Sequence, residues 1–214
     1  MAQLIAISGT HGSGKSTLIK ELSSVKYYVP AFLEQFSDTP SLYIDDFKVS
    51  RTVQAQFGMT LAEAEQDIDT LIRFQEAIIE QKLNHDEKLK ERPEDFVIVE
   101  RSLLDVFTYA SIWCQNNREQ LAQHLHWYTE YHSRCLKGQM IYDGVVFVPS
   151  HSEVPFEAEA NRAPLETREL FEEIFTNTLI RSMEWRNELL AFTVVKVWPL
   201  HLRVAQVLNF LNTL

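Results

Sequence analysis

Residues 9–17, Gly9-Thr10-His11-Gly12-Ser13-Gly14-Lys15-Ser16-Thr17, read G-x-x-x-x-G-K-S-T. The chemistry of this pattern is anion chemistry. Glycines let the backbone curl until successive N–H groups point inward at phosphate oxygens. A helix opening directly behind the loop adds its positive dipole end to the same anion. In such a loop Lys15 reaches the β- and γ-phosphates and the Ser16 hydroxyl ligates Mg²⁺. The apolar run Leu4-Ile5-Ala6-Ile7 precedes the loop, and the helix-forming run Leu18-Ile19-Lys20-Glu21-Leu22 follows it. Strand, glycine-rich loop and helix in that order are the context the motif requires. Gly9, His11, Gly12, Ser13, Gly14, Lys15, Ser16 and Thr17 are therefore the expected cradle of a nucleoside triphosphate with Mg²⁺, ATP or GTP by these residues alone.

Further charged groups stand where strands should end. Leu42-Tyr43-Ile44 runs into Asp45-Asp46, and Phe96-Val97-Ile98-Val99 into Glu100-Arg101-Ser102. Val145-Val146-Phe147-Val148 leads to Ser150 and His151, and the polar stretch behind it carries Arg162 and Arg168. In parallel sheets ligands gather at the carboxyl ends of the strands. Carboxylates and arginines therefore converge on one triphosphate. Phosphoryl transfer needs that set: cations to offset spreading charge, and a carboxylate to orient or deprotonate an acceptor hydroxyl. Glu100 can hold the water shell of Mg²⁺, and Arg101 can touch a phosphate.

The elements that must position these groups follow from the apolar pattern. Residues 3–8, 42–44, 96–99, 145–148 and 192–197 are strand candidates, and the β-branched run 96–99 suits a strand buried on both faces. Helices are predicted over 15–25, 47–57, 60 to about 83, 103–113, 118–136, 167–190 and 203–211. Thr60-Leu61-Ala62-Glu63 has the form of a capping box, and Gly58 is a natural helix stop. The charged stretch 84–94 reads as a solvated helix end and loop. Strands alternating with helices give a parallel sheet covered on both faces, with right-handed crossovers.

Composition bounds the rest. The 214 residues fit one domain, or one with a helical insert, and 45% hydrophobic with 23% charged residues is an ordinary globular balance. A net charge of −10 argues against a broad nucleic-acid-binding surface but leaves room for a local basic cleft. Cys114 and Cys135 read as free thiols in a reducing cytosol, since they form no C-x-x-C pair. The first apolar run is too short for a secretory signal, and no run is long enough to span a membrane, so a cytoplasmic protein is expected. His124 and His132 fall near one helix face and His126 does not, which reads as exposed helix histidines. Trp113, Trp127, Tyr128 and Tyr131 read first as core and second as a base-stacking platform. Arg203, after the last strand, is a candidate border of the adenine.

A family resemblance appears on the same residues. Val97-Ile98-Val99-Glu100-Arg101-Ser102-Leu103-Leu104-Asp105 resembles the acidic-Arg-Ser segment of nucleoside and thymidylate kinases. The opening 7–17 is similar to bacterial and phage P-loop kinases of the nicotinamide-riboside-kinase-like group. In that group a strand ends in an acidic pair, followed by an Arg on a helix and then a Gly. Tyr43-Ile44-Asp45-Asp46, Arg51 and Gly58 resemble that pattern at slightly longer spacing. Glu157-Ala158-Glu159-Ala160-Asn161-Arg162 stands where members carry an acidic-Gly-x-Arg segment before a lid helix, here without the Gly. The resemblance spans about 4–211.

It implies a P-loop NTPase three-layer α/β sandwich: about five parallel strands flanked by helices, one domain over 1–214, with a helical lid and acceptor-covering segment at about 115–168. Lys15 would stabilise the transferring phosphoryl group, Ser16 and Glu100 would serve Mg²⁺, and Arg101 would contact phosphate. Asp46, or Asp45 beside it, would be the base towards the acceptor hydroxyl, since strand alternation lets one of the pair face the site squarely. Glu34, after the strand-like Ala31-Phe32-Leu33, is the rival base. Arg51 would bind the acceptor, and Arg162 and Arg168 would close as a lid that excludes water. The expected activity is an ATP-dependent kinase acting on a nucleoside- or nucleotide-like acceptor. The alternatives are a phage-type kinase acting on a hydroxymethylated base in DNA, and a regulatory ATPase without a phosphorylated product. Expected partners are the nucleotide and the acceptor, with no membrane; a homodimer is admitted.

Overall fold

The computed structural model describes residues 1–24, 41–150, 165–186, 190–197 and 199–214. Strand β1 (Gln3–Ser8) leads through the phosphate loop into α1 (Lys15–Ser24). Next come β2 (Leu42–Ile44), α2 (Val49–Phe57), α3 (Leu61–Ala64) and α4 (Ile68–Leu89). β3 (Phe96–Glu100) then precedes α5 (Leu103–Asn116), α6 (Arg118–Leu121) and α7 (Leu125–Gly138). β4 (Gly144–Phe147), α8 (Leu165–Arg186), β5 (Ala191–Val194) and α9 (Leu200–Leu211) follow. The strands form one parallel sheet in the order β2-β3-β1-β4-β5. Because every strand runs the same way, all carboxyl ends lie along one edge.

Side-chain alternation explains the layers. Leu4 and Ala6 of β1, with Val97 and Val99 of β3, face Phe74, Ile79, Leu103 and Tyr131 of α4, α5 and α7. Ile5, Ile7, Ile98 and Val146 face the other way, onto Leu18, Leu22, Val204 and Val207 of α1 and α9. Val145 and Phe147 of β4 pack on Phe171, Phe175 and Leu179 of α8. Both faces are covered, as the continuous apolar strands demand. The register pairs Ile7 with Glu100 and Ser8 with Phe147, which places Glu100 beside the entry to the phosphate loop.

Several helix boundaries differ from the sequence-based expectation, each for a local reason. The Thr60–Glu63 capping box forms, with the Thr60 side chain accepting from the Glu63 N–H and the Glu63 side chain accepting from the Thr60 N–H. The helix it starts ends at Ala64, because Asp67 caps a fresh helix by accepting the Thr70 N–H. That second helix runs on to Leu89, into the charged stretch expected as a solvated helix end and loop. Lys82 and Asp86 hold it there: they pair at 2.7 Å inside the protein, and Tyr142 donates to the same Asp86 carboxylate at 2.6 Å. The helix expected over 118–136 is divided into α6, a 3₁₀ turn at Ala122–His124 and α7. The last strand stops at Val194 rather than 197, and Pro199 is the N-cap residue of α9, which begins before the expected Arg203.

The Lys82–Asp86–Tyr142 group ties α4 to the turn that enters β4. A buried carboxylate stripped of its cation is costly. Lys82→Met should therefore lower unfolding free energy by about 3 kcal/mol in urea titrations. Lys82→Met with Asp86→Leu should recover most of that loss.

Candidate active site

The phosphate loop is shaped by backbone that side chains would obstruct. Gly9 has φ +144°, and a Cβ there would lie 2.2 Å from the Val148 carbonyl oxygen at the end of β4. Gly12 has φ +75°, and a Cβ there would come within 2.8 Å of the Arg168 guanidinium. Arg168 is thereby placed against the loop, 6% exposed, from the first turns of α8. Arg203 packs behind the loop rather than at an open border: it donates to the Ser13 carbonyl and to the Val197 carbonyl, each at 2.9 Å.

Asp105 anchors the loop's entry. One oxygen accepts the Gly9 N–H at 3.0 Å. The other accepts the N–H and the hydroxyl of Ser102, at 2.8 and 2.9 Å, which closes a capping box on α5. The Ser8 and Ser102 hydroxyls meet at 3.1 Å, and all three side chains are fully buried. The S-x-x-D spacing is a capping signal that sequence reasoning passed over; the Gly9 contact spans 96 positions of sequence, beyond any local pattern.

Lys15 is buried, with its ammonium donating to the Thr10 carbonyl at 2.6 Å. Burial, and next the Arg101 charge, bring its pKa down to about 7, against the opposing pull of Asp105 and Glu100. His11 is exposed as a residue, but protein crowds one side of its ring. That desolvation, with the charges of Arg101 and Lys15, lowers it to about 4, so it is a neutral imidazole at neutral pH. Its Nε2 lies 3.2 Å from Arg101 Nη2. Arg101 follows β3 with φ +68°, uncommon for a side-chain-bearing residue, while its N–H bonds to the Ile7 carbonyl at 2.9 Å. Its guanidinium stands 4.7 Å from the centre of the Tyr109 ring. Tyr109, on α5, is a site residue that the sequence did not single out.

The Ser16 hydroxyl lies 3.4 Å from both Glu100 oxygens. Two hard oxygen donors facing each other fit a divalent cation such as Mg²⁺. Lys48 also donates to Glu100, a contact that sequence reasoning missed. Burial opposes ionisation of Glu100, but the Lys48 hydrogen bond and the charges of Lys48, Lys15 and Arg101 outweigh it and hold the carboxyl below its ordinary range. Lys15, Lys48, Arg101 and Arg168 thus face Glu100 and Asp105, an electropositive site in a chain of net charge −10.

The acidic pair after β2 divides as strand alternation requires. Asp45 is buried and Asp46 exposed. Asp45 Oδ2 accepts the Phe47 N–H at 3.2 Å and lies 3.0 Å from His85 Nε2. The inward member is therefore Asp45, where the expectation put Asp46 first. Arg51 is exposed on α2. Glu34, His151 and Arg162 lie outside the described residues, as does the 151–164 part of the expected lid and acceptor-covering segment. Thr17 is exposed on the first turn of α1. Of the aromatic set, Trp113 and Tyr131 are core, and Tyr131 donates to Gln75 at 2.9 Å. Trp127 and Tyr128 are half-buried and bonded to Glu76 and Ser111. Cys114 and Cys135 are both free and buried. Among the described residues no helix is long and apolar enough to cross a membrane, and no group of three His, Cys, Asp or Glu could hold a metal.

Sheet, glycine loop, buried lysine and the carboxylate opposite Ser16 together define a P-loop NTPase fold. A family model described as an AAA domain matches residues 4–188, and the chain belongs to that family. Deoxyadenosine kinase from M. mycoides with bound dATP superposes with a TM-score of 0.62 at 17% identity, covering 98% of this chain and 100% of that one. The same kinase with bound dCTP gives 0.62 at 16%, covering 99% and 100%. NadR protein in complex with NR gives 0.61 at 12%, covering 99% of this chain and 50% of NadR, so this chain spans half the NadR length. A comparison with curated proteins finds no match. The fold is thus that of nucleoside-kinase-like P-loop proteins, as the E-R-S segment and the phosphate loop led us to expect.

Phosphate charge beside Lys15 must raise its pKa above about 7. Nucleotide binding is therefore expected to take up a proton, weakly below pH 7 and by nearly one proton at pH 8–9. Calorimetry in buffers of different ionisation enthalpy measures this uptake. A value near zero at pH 8.5 would show that Lys15 is already fully charged before nucleotide binds.

Proposed function

We propose that the chain is an ATP- and Mg²⁺-dependent kinase that moves the γ-phosphoryl group to a hydroxyl of a nucleoside- or nucleotide-like acceptor. The observation that carries this reading is Asp45. A triphosphate site needs the loop, Lys15, Ser16 and Glu100. A second buried carboxylate, at the end of the strand next to Glu100's, is what an acceptor hydroxyl adds to those needs. Asp45 is oriented by the Phe47 N–H and by His85, an arrangement that suits a proton acceptor.

In this reading the loop N–H groups and Lys15 hold the β- and γ-phosphates, and Arg101 and Arg168 add charge against the transferring group. Mg²⁺, held by Ser16 and through water by Glu100, offsets phosphate charge when bound. The acceptor oxygen bonds to the γ-phosphorus as the bond to the β–γ bridging oxygen breaks, and Asp45 takes the hydroxyl proton. Arg51 and Arg162 belong to the proposal as acceptor and lid groups. The likeness to a deoxyadenosine kinase and to an NR-bound protein makes deoxyadenosine and NR the first acceptors to try. The AAA-domain family match favours a second reading, a regulatory ATPase that releases phosphate without a phosphorylated acceptor.

Incubation with γ-labelled ATP and a panel of nucleosides, nucleotides and oligonucleotides separates these readings. Label is expected on at least one mononucleoside or mononucleotide. Free phosphate as the sole labelled product would support the ATPase, and label confined to DNA the base-modifying kinase. Lys15→Ala should abolish transfer. Asp45→Asn should cut it about 100-fold or more with nucleotide binding retained, while Asp46→Asn stays within a few-fold of the parent. The reverse order would return the base to Asp46, and full activity in both would move it to Glu34.

A further inference from the structure

Lys48 stands at the N-cap position of α2 with a non-helical backbone, φ −116° and ψ 87°, and its side chain makes no cap hydrogen bond. Instead its ammonium donates to Glu100, the carboxylate that faces Ser16 through both oxygens. The partners in this pair are unequal. The Glu100 side chain is 12% exposed at the end of a central strand; that of Lys48 is 40% exposed, on a long flexible stem. The segment that carries Lys48 is held independently. Asp45 accepts the Phe47 N–H, and the Phe47 ring stacks on His85 with centroids 4.0 Å apart and planes 23° from parallel. The ammonium can therefore leave Glu100 by side-chain rotation, with the 45–47 backbone staying in place.

We propose that Lys48 is the internal cation of the metal site: it balances Glu100 until a divalent cation arrives with the nucleotide and takes its place. This rests on the triphosphate–Mg²⁺ part of the function proposed above and goes beyond it. Two like charges cannot share one carboxylate without repulsion. A metal approaching Glu100 must displace the ammonium, so Lys48 weakens metal binding. Without metal, the same ammonium keeps Glu100 from repelling the phosphates, so Lys48 strengthens metal-free nucleotide binding. Both effects act in one direction. Lys48 reduces the dependence of nucleotide affinity on metal.

The test is calorimetric titration of the full chain with a non-hydrolysable ATP analogue, in EDTA and in saturating Mg²⁺, for the parent protein, Lys48→Met and Lys48→Arg. The reading is the Kd in EDTA divided by the Kd in Mg²⁺. Lys48→Met should raise this ratio roughly fivefold to tenfold, the scale of one partly exposed charge contact. Lys48→Arg, which keeps the charge, should stay within about twofold. Mn²⁺ titration of the analogue complex, followed by electron paramagnetic resonance, should show tighter Mn²⁺ in Lys48→Met. An unchanged or lower ratio in Lys48→Met overturns the proposal and leaves the kinase reading intact. A parent protein that binds the analogue in neither condition overturns both.

Discussion

The Asp105 carboxylate is the contact on which the site depends. It joins the phosphate loop to the start of α5 by accepting from Gly9 on one oxygen and from Ser102 on the other. Gly9 itself sits where a side chain would strike the β4 backbone. The loop's entry is thus fixed from the β3–α5 junction on one side and from β4 on the other. An unpartnered carboxylate in this buried place would be strongly disfavoured, and its three donors remove that cost. Glu100 and Arg101 lie in the same junction, so the link that fixes the loop also fixes the carboxylate and guanidinium aimed at it. The geometry needed for phosphate chemistry is therefore part of the core rather than an addition to it.

Arg101 shows the same economy from another direction. Its left-handed backbone turns the chain sharply between β3 and α5, at a cost on the order of 1 kcal/mol. That turn brings the guanidinium over Tyr109 and beside His11. Neutral His11 can accept from Arg101 without opposing it, because the charges of Arg101 and Lys15 themselves help keep it unprotonated. Cations crowd together here, and burial first, with the Arg101 charge next, brings the Lys15 pKa down to about 7. A site poised in this way gains most from a highly charged anion, which suits a triphosphate better than a single phosphate.

The loop at 9–17 and the strands around it were legible in the sequence because their signals are local. A glycine spacing, a four-residue apolar run or a capping box can be read without knowing what lies across the fold. The strand ends at Asp45 and Glu100 were legible for the same reason, since topology brings all carboxyl ends to one edge. The partners that make these residues a site were not. Asp105 meets Gly9, Lys48 meets Glu100 and His85 meets Asp45 only after strands have paired and α4 has packed. The same limit explains the helix boundaries. The charged stretch 84–94 looked solvated, because the Asp86 partner Tyr142 lies 56 positions further on. The choice within Asp45-Asp46 needed the burial of one and the exposure of the other, which alternation alone leaves open in sign.

Net charge is the feature that misled least and said least. A chain at −10 still builds an electropositive site, because the charges of Lys15, Lys48, Arg101 and Arg168 reach it from four separate elements of the fold. None of them lies in a basic run, so no sequence window reveals the cleft. A net charge of −10 weakens loose attachment to long polyanions such as duplex DNA. It acts less on a compact anion that meets Lys15 and Arg101 directly. Local geometry, and not the overall charge, sets the potential that a bound group meets.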